Sequence, residues 1–227
     1  MAVTSRAQSL RFRLIGQWHP VLLGEHDDPS LIPALSRAVI GKQDVDATVR
    51  AELTRSLREA VASARKGGAE AMFVGTEIRP GLPMSANLTV FPHPGIRMSP
   101  AIGTDAPAVI EVFEQSLRAL GDVDMDTVSR LSIEGSEILR THRIEMTAVE
   151  ELGPDAAGTE AAPVVRRLVA DYWYTVPDTK ELLLVNFVTP MGDIAHVMLA
   201  FFDAIVRASY FEVAPSAQGE IEAPTPT

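Results

Sequence analysis

Apolar residues recur in this chain with two periods, one of four and one of two, and each predicts a different element. After Asp46, Val49, Leu53, Leu57 and Val61 return at every fourth position, one apolar stripe of a long helix. Arg50, Glu52, Arg55, Arg58 and Glu59 cover its other side. Arg65 and Lys66 complement the dipole of the last turn, and Gly67-Gly68 ends the helix. Asp105-Ala106-Pro107 opens a second helix, with Val109, Ile110, Phe113, Leu117 and Leu120 on one face and Gly121 as its stop. A third begins near Thr189-Pro190 or Asp193 and runs to about Tyr210, with Ile194, Val197, Met198, Phe201, Ile205 and Ala208 toward the core. A shorter helix, capped by Asp28 or Ser30, reaches Ile40 and stops at Gly41.

The stretches between these helices read as strands. Residues 12–23 form the first, bent or placed at an edge by Pro20. Residues 71–78 and 84–91 form a hairpin around Arg79-Pro80-Gly81-Leu82-Pro83. Residues 128–133 and 136–149 join around Glu134-Gly135, and the second alternates Ile138, Arg140, His142, Ile144 and Met146 against a more polar set. Residues 164–176 and 182–188 flank the turn Pro177-Asp178-Thr179-Lys180, and Gly153 to Pro163 reads as a long flexible tip.

The order β, αα, ββ, α, ββ, ββ, α links neighbouring strands by short turns. It therefore predicts an α+β fold, a mostly antiparallel sheet packed by three main amphipathic helices. One domain is expected over residues 1–212. Residues 213–227 carry three prolines and no positive charge, which predicts a disordered acidic tail.

Composition narrows the function classes. The chain of 227 residues is 46% hydrophobic and 22% charged, enough for an ordinary core. Its net charge of −10 disfavours phosphate backbones and anionic lipid, so neither nucleic acid nor membrane is an expected partner. Without cysteine there is no disulfide, zinc thiolate or thiol nucleophile. The first twenty residues lack the apolar core and cleavage site of a secretion signal. The run from Ile194 to Val206 is broken by His196 and Asp203 and is shorter than the ~20 residues of a membrane span. A cytoplasmic location is the expectation. Only three of the twenty basic residues are lysine, a bias that a GC-rich genome explains.

Chemistry is sparse. The five histidines (19, 26, 93, 142 and 196) form no metal-ligand spacing, and no metal or cofactor is assigned. Asp122, Asp124 and Asp126 alternate as in a calcium loop. Thr127 and Ile133 stand where that loop needs Gly and Glu, so an acidic turn is expected. Neither a phosphate loop nor a nucleophile elbow is present, and no catalytic residue is assigned. Tyr172 and Tyr174 share one face of their strand, with Trp173 on the other, and offer a face for a ligand or partner. Asn186, on the face of Leu184 and Val188, is accounted for by a cross-strand hydrogen bond.

Two segments carry a resemblance. GGAEAMFVGTEIRPGLPMSANLTVF (67–91) and YTVPDTKELLLVNFVTPMGDIAHVMLAFFDAI (174–205) resemble an uncharacterised actinobacterial family. The second segment looks like the closing unit of the α/β/α sandwich of PsbP-like proteins. The resemblance implies no known activity. It implies an accessory, chaperone or immunity role beside WXG-type secretion substrates and toxins. The leading expectation is a non-enzymatic protein-binding accessory protein whose partner is a secreted effector. Its candidate surface is the strand from Arg140 to Thr147 or the 79–83 turn, with Arg79, Leu82, Arg140, His142, Tyr172 and Tyr174 as candidate residues. The alternative is a small-molecule or lipid binder with an apolar pocket between sheet and helices near Tyr172, Tyr174 and Phe91. An enzyme assembled from distant residues has the least support, and the sequence leaves the oligomeric state open.

Overall fold

The computed structural model describes residues 8–23, 31–40, 47–92, 103–121, 123–148 and 164–213. The chain is α+β, as its pattern predicts. In order come β1 (Gln8–Arg11), β2 (Gln17–Val21), α1 (Leu31–Ile40), α2 (Ala47–Lys66), β3 (Ala71–Arg79), β4 (Leu82–Pro92) and α3 (Ala106–Leu120). A 3₁₀ turn (Met125–Thr127), β5 (Ser129–Ile133), β6 (Ser136–Ala148), β7 (Val164–Thr175) and β8 (Leu182–Thr189) follow. A second 3₁₀ turn (Gly192–Ile194), α4 (Ala195–Arg207) and β9 (Tyr210–Val213) close the chain. No helix among the described residues is long and apolar enough to cross a membrane.

Seven strands form one fully antiparallel sheet in the order β2-β3-β4-β8-β7-β6-β5, two meanders joined where β4 meets β8. The turn chemistry sets the hairpins. Pro80-Gly81 sits between the paired residues Arg79 and Leu82, with Gly81 at φ +79°, the left-handed value that the second turn position of a type II turn requires.

Side chains alternate across the sheet, so each strand supplies both layers. One face collects Leu88 and Val90 of β4, Val185 and Phe187 of β8, Ala170, Tyr172 and Tyr174 of β7, and Ile138 of β6. α4 covers it with Met198, Leu199, Phe202, Ile205 and Val206, and Phe187 stacks on Phe202 at 4.5 Å. On the other face α1 and α2 cover Met72 and Val74 of β3, using Leu35, Leu57, Val61 and Ala64. α3 covers Leu139, Trp173 and Leu182 there with Val109, Ile110 and Phe113. Helices therefore pack on both faces. Between α2 and α3 that face turns polar: the Asn186 amide donates to Asp171 at 2.6 Å, the cross-strand bond its position called for.

The structure departs from the sequence pattern in three places. The strand expected over residues 12–23 is strand only in β2, residues 17–21, and β1, at residues 8–11, precedes the expected bounds with residues 12–16 between the two. The last helix ends at Arg207 rather than near Tyr210, and residues 210–213 form β9, paired with β1 in a two-stranded ribbon over the α4 face. Val213, expected in a disordered tail, thus belongs to a strand; the rest of that tail and the 153–163 tip lie outside the described residues. Finally, Leu120, Ile194 and Val197, expected to face the core, are exposed. The buried stripe of α4 is 198, 199, 202, 205 and 206, which rotates 194 and 197 toward solvent.

Gly16 has φ +89°, and a Cβ there would run into the carbonyl oxygen of Glu77. Gly16→Ala is expected to cost about 2 kcal/mol or more, from left-handed strain plus a backbone collision. Urea unfolding checks this: the midpoint falls with an unchanged slope, and a loss under about 0.5 kcal/mol would contradict the reading.

Candidate protein interface

One end of the sheet is built differently from the other. Asn87 of β4 pairs with Val188 of β8, Thr189 with Leu168 of β7, and Leu168 with Ile144 of β6. The β3–β4 turn, the end of β8, the start of β7 and the end of β6 therefore lie together. β8 stops opposite Leu168, and β5 stops opposite Arg140. Residues 141–148 of β6 and 164–167 of β7 continue past both neighbours as a two-stranded arm. The 3₁₀ turn after β8 buttresses it, with Gly192 packed on the backbone of Arg166 and Asp193 paired to the Arg166 guanidinium at 3.2 Å.

The arm has an open edge. Ile133 and Ser136 close the β5–β6 hairpin across a two-residue turn, so they exchange backbone hydrogen bonds, and every even residue of β6 directs its N–H and C=O toward β5. Beyond β5, Ile144 and Met146 keep that direction. Among the described residues no strand pairs with them there.

Exposed apolar surface gathers at this end. Eleven large hydrophobic residues are exposed among the described ones. Ile144, Met146, Val164 and Val165 are on the arm, Leu82 is on the β3–β4 turn, Ile15 precedes Gly16, which packs against the end of β3, Ile194 ends the 3₁₀ turn before α4, and Val197 is in the first turn of α4. Those eight share one end of the sheet, and Met146, at 76%, is the most exposed of all eleven. A scattered exposed leucine needs no explanation, but a gathered set marks a contact surface.

The arm also carries charge. Arg143 and Arg167 both donate to Glu145, and Arg143 reaches Asp171 at 3.2 Å. Arg167, then Arg143, holds the Glu145 carboxyl below the usual range against the opposing effect of burial. The three arginines of the arm, Arg143, Arg166 and Arg167, are thus matched by three carboxylates, Glu145, Asp171 and Asp193.

The six candidate residues do not form one surface. Arg79 and Leu82 are exposed on the β3–β4 turn, near the arm in the sheet layout. His142 stands at the base of the arm, with Nδ1 3.2 Å from the Thr127 carbonyl oxygen. Arg140 faces inward, donating to Asp203 at 2.6 Å and to Ser129 at 2.8 Å. Tyr172 and Tyr174 are wholly buried, so the expected tyrosine face for a ligand or partner is instead core beneath α4. Tyr172, Tyr174 and Phe91 do not line one pocket, because Phe91 lies one residue out of phase with Leu88 and Val90 and faces the opposite side of the sheet from the tyrosines.

Two of the candidates do meet, around a residue that the sequence reading passed over. Asp203 accepts from the Tyr172 hydroxyl at 2.7 Å and from Arg140. Burial, then the Asp203 charge, pushes the Tyr172 phenol far above its ordinary value, and burial does the same to Tyr174, whose hydroxyl lies 3.2 Å from that of Ser209. Neither tyrosine is poised as a base or nucleophile near neutral pH. The cluster pins α4 to the sheet. The visible signal was Asp203 itself, a carboxylate inside the apolar run 194–206.

Among the described residues no three His, Asp or Glu side chains converge to hold a metal ion. Asp124 caps the first 3₁₀ turn, accepting from the Asp126 N–H at 3.1 Å, which makes it an acidic turn, while Asp122, His26 and His93 lie outside the described residues. No family model, curated protein or solved structure matches the chain.

Proposed function

We propose that this protein is a non-enzymatic protein-binding module that meets its partner with the arm end of the sheet. The gathering of eight of eleven exposed large hydrophobic residues at that end carries the reading. The partner class is an extended protein segment that adds to β6 beside Ile144 and Met146. Its main chain would satisfy their outward N–H and C=O groups, and alternate apolar side chains would cover theirs. The resemblance to proteins encoded beside secretion substrates makes a secreted effector, held by a cytoplasmic chaperone or immunity partner, the first class to test.

Immobilised protein and three variants, Met146→Asp, Leu82→Asp and Leu22→Asp, would be exposed to host extract and the eluates compared by quantitative mass spectrometry. The expected result is a stoichiometric partner whose recovery falls at least about ten-fold with Met146→Asp, as a charge buried in an interface demands. Leu82→Asp reduces it, and Leu22→Asp, on an exposed site at the other end, leaves it intact. An empty eluate, or equal recovery with all variants, would sink the proposal.

A further inference from the structure

The β1–β9 ribbon roofs a cleft that the protein-binding reading does not use. Ser209 and Phe211 anchor the ribbon on Tyr174, through the hydroxyl pair at 3.2 Å and an edge-to-face ring contact at 6.4 Å. Away from that anchor the ribbon arches over the start of β3, the end of β4 and the β7–β8 turn. The space beneath is about 900 Å³ and partly open, within the range of small-molecule sites. Leu10, Phe73, Val90 and Leu183 give it an apolar floor and wall.

Its polar groups select among ligands. Gln8 lines the cleft, and its Oε1 is shut off from solvent yet accepts no hydrogen bond. A buried acceptor in that state favours a donor brought by a ligand. Among the described residues lining the space, Glu70 and Glu181 are acidic, and the one arginine, Arg11, is already paired with Glu212 at 2.7 Å. Among these described lining residues an anionic head would meet Glu70 and Glu181, and their one cation is already engaged.

We infer that this cleft binds an uncharged amphiphile, an apolar chain whose hydroxyl or amide head donates to Gln8. The inference is independent of the arm, since the cleft lies at the opposite end of the sheet.

The full chain would be titrated with Nile red, an uncharged dye without a hydrogen-bond donor, and the bound dye displaced with 1-decanol or decanoate. One dye per chain is expected, with decanol displacing it at least about ten-fold more effectively than decanoate. Ala71→Trp, which fills the floor, should abolish uptake. Gln8→Leu, on the half-buried wall of the cleft, should weaken decanol roughly five-fold more than it changes dye affinity, as the loss of one buried hydrogen bond predicts. Absence of dye uptake overturns the site. Uptake that survives Ala71→Trp overturns its location, and decanoate competing as well as decanol, or Gln8→Leu weakening dye and decanol alike, overturns the ligand class.

Discussion

Replacing Asp203 with alanine is expected to cost about 3 kcal/mol, among the larger effects of any single substitution in this chain. The carboxylate accepts from Arg140 and from Tyr172, and both ends of the ion pair are mostly shielded, with 13% and 19% of their side chains exposed. Without it, the Arg140 charge keeps one partner, the Ser129 hydroxyl, and the Tyr172 hydroxyl loses its acceptor inside the core. The cost is that of stranding polar groups rather than of losing one attractive contact. Two further variants separate these ideas. Tyr172→Phe removes a donor and leaves the ion pair whole, so it should cost only about 1 kcal/mol. Arg140→Met combined with Asp203→Leu removes both charges and should recover most of the loss, leaving Tyr172 the chief orphan. Urea unfolding of the three variants measures the differences. If the double variant is no more stable than Asp203→Ala, stranded charge is not the cause.

How much of this was legible beforehand differs by element. α2, α3 and the strands from β3 to β8 announced themselves, because their periodicity is long enough to count and their turns hold Gly or Pro where a turn requires them. β1 and β9 did not. Each has four residues, too few for an alternation to register, and they pair across the whole chain, as the Arg11–Glu212 contact shows. The layout of the sheet made the 79–83 turn and the Arg140–Thr147 strand plausible surfaces, but not neighbours. That they share an end follows from β4 pairing with β8, a join between two meanders that no local signal records.

Tyr172 and Tyr174 show the limit from another side. Alternation correctly placed them on one face and Trp173 on the other. It could not say that helices cover both faces, so an aromatic strand that reads as a half-exposed surface is interior on both sides, with Trp173 against Phe113 at 4.9 Å. For α4 the error was one of phase. Its apolar run is so dense that several stripes fit it, and the sequence alone gave no reason to choose 198, 199, 202, 205 and 206 over a stripe containing 194 and 197. The surplus apolar positions are informative in retrospect, since two of them face solvent at the arm end.

The buried tyrosines lead to the second large effect, a steep loss of stability in alkali. An unfolded tyrosine ionises near pH 10. In the folded chain burial and the nearby Asp203 raise Tyr172 far above that, and burial raises Tyr174, the effect partly opposed by its contact with Ser209. Between pH 10 and the raised folded values the native state holds two protons that the unfolded chain has released. Their contribution is complete below pH 10 and disappears as pH rises. Stability should therefore fall by up to about 1.4 kcal/mol per pH unit for each tyrosine, roughly 2.7 for the pair, amounting to about 3 kcal/mol by pH 11. Urea midpoints measured at half-unit steps from pH 9 to 11.5 test it, and Tyr172→Phe should halve the slope. Phenolate absorbance gives a second view: two of the three tyrosines should stay silent in the native protein and ionise together as it unfolds. A native titration in which all three ionise together near pH 10, or stability that stays flat to pH 11, would mean that the α4 face admits water to these hydroxyls and that the core beneath α4 is looser than its packing implies.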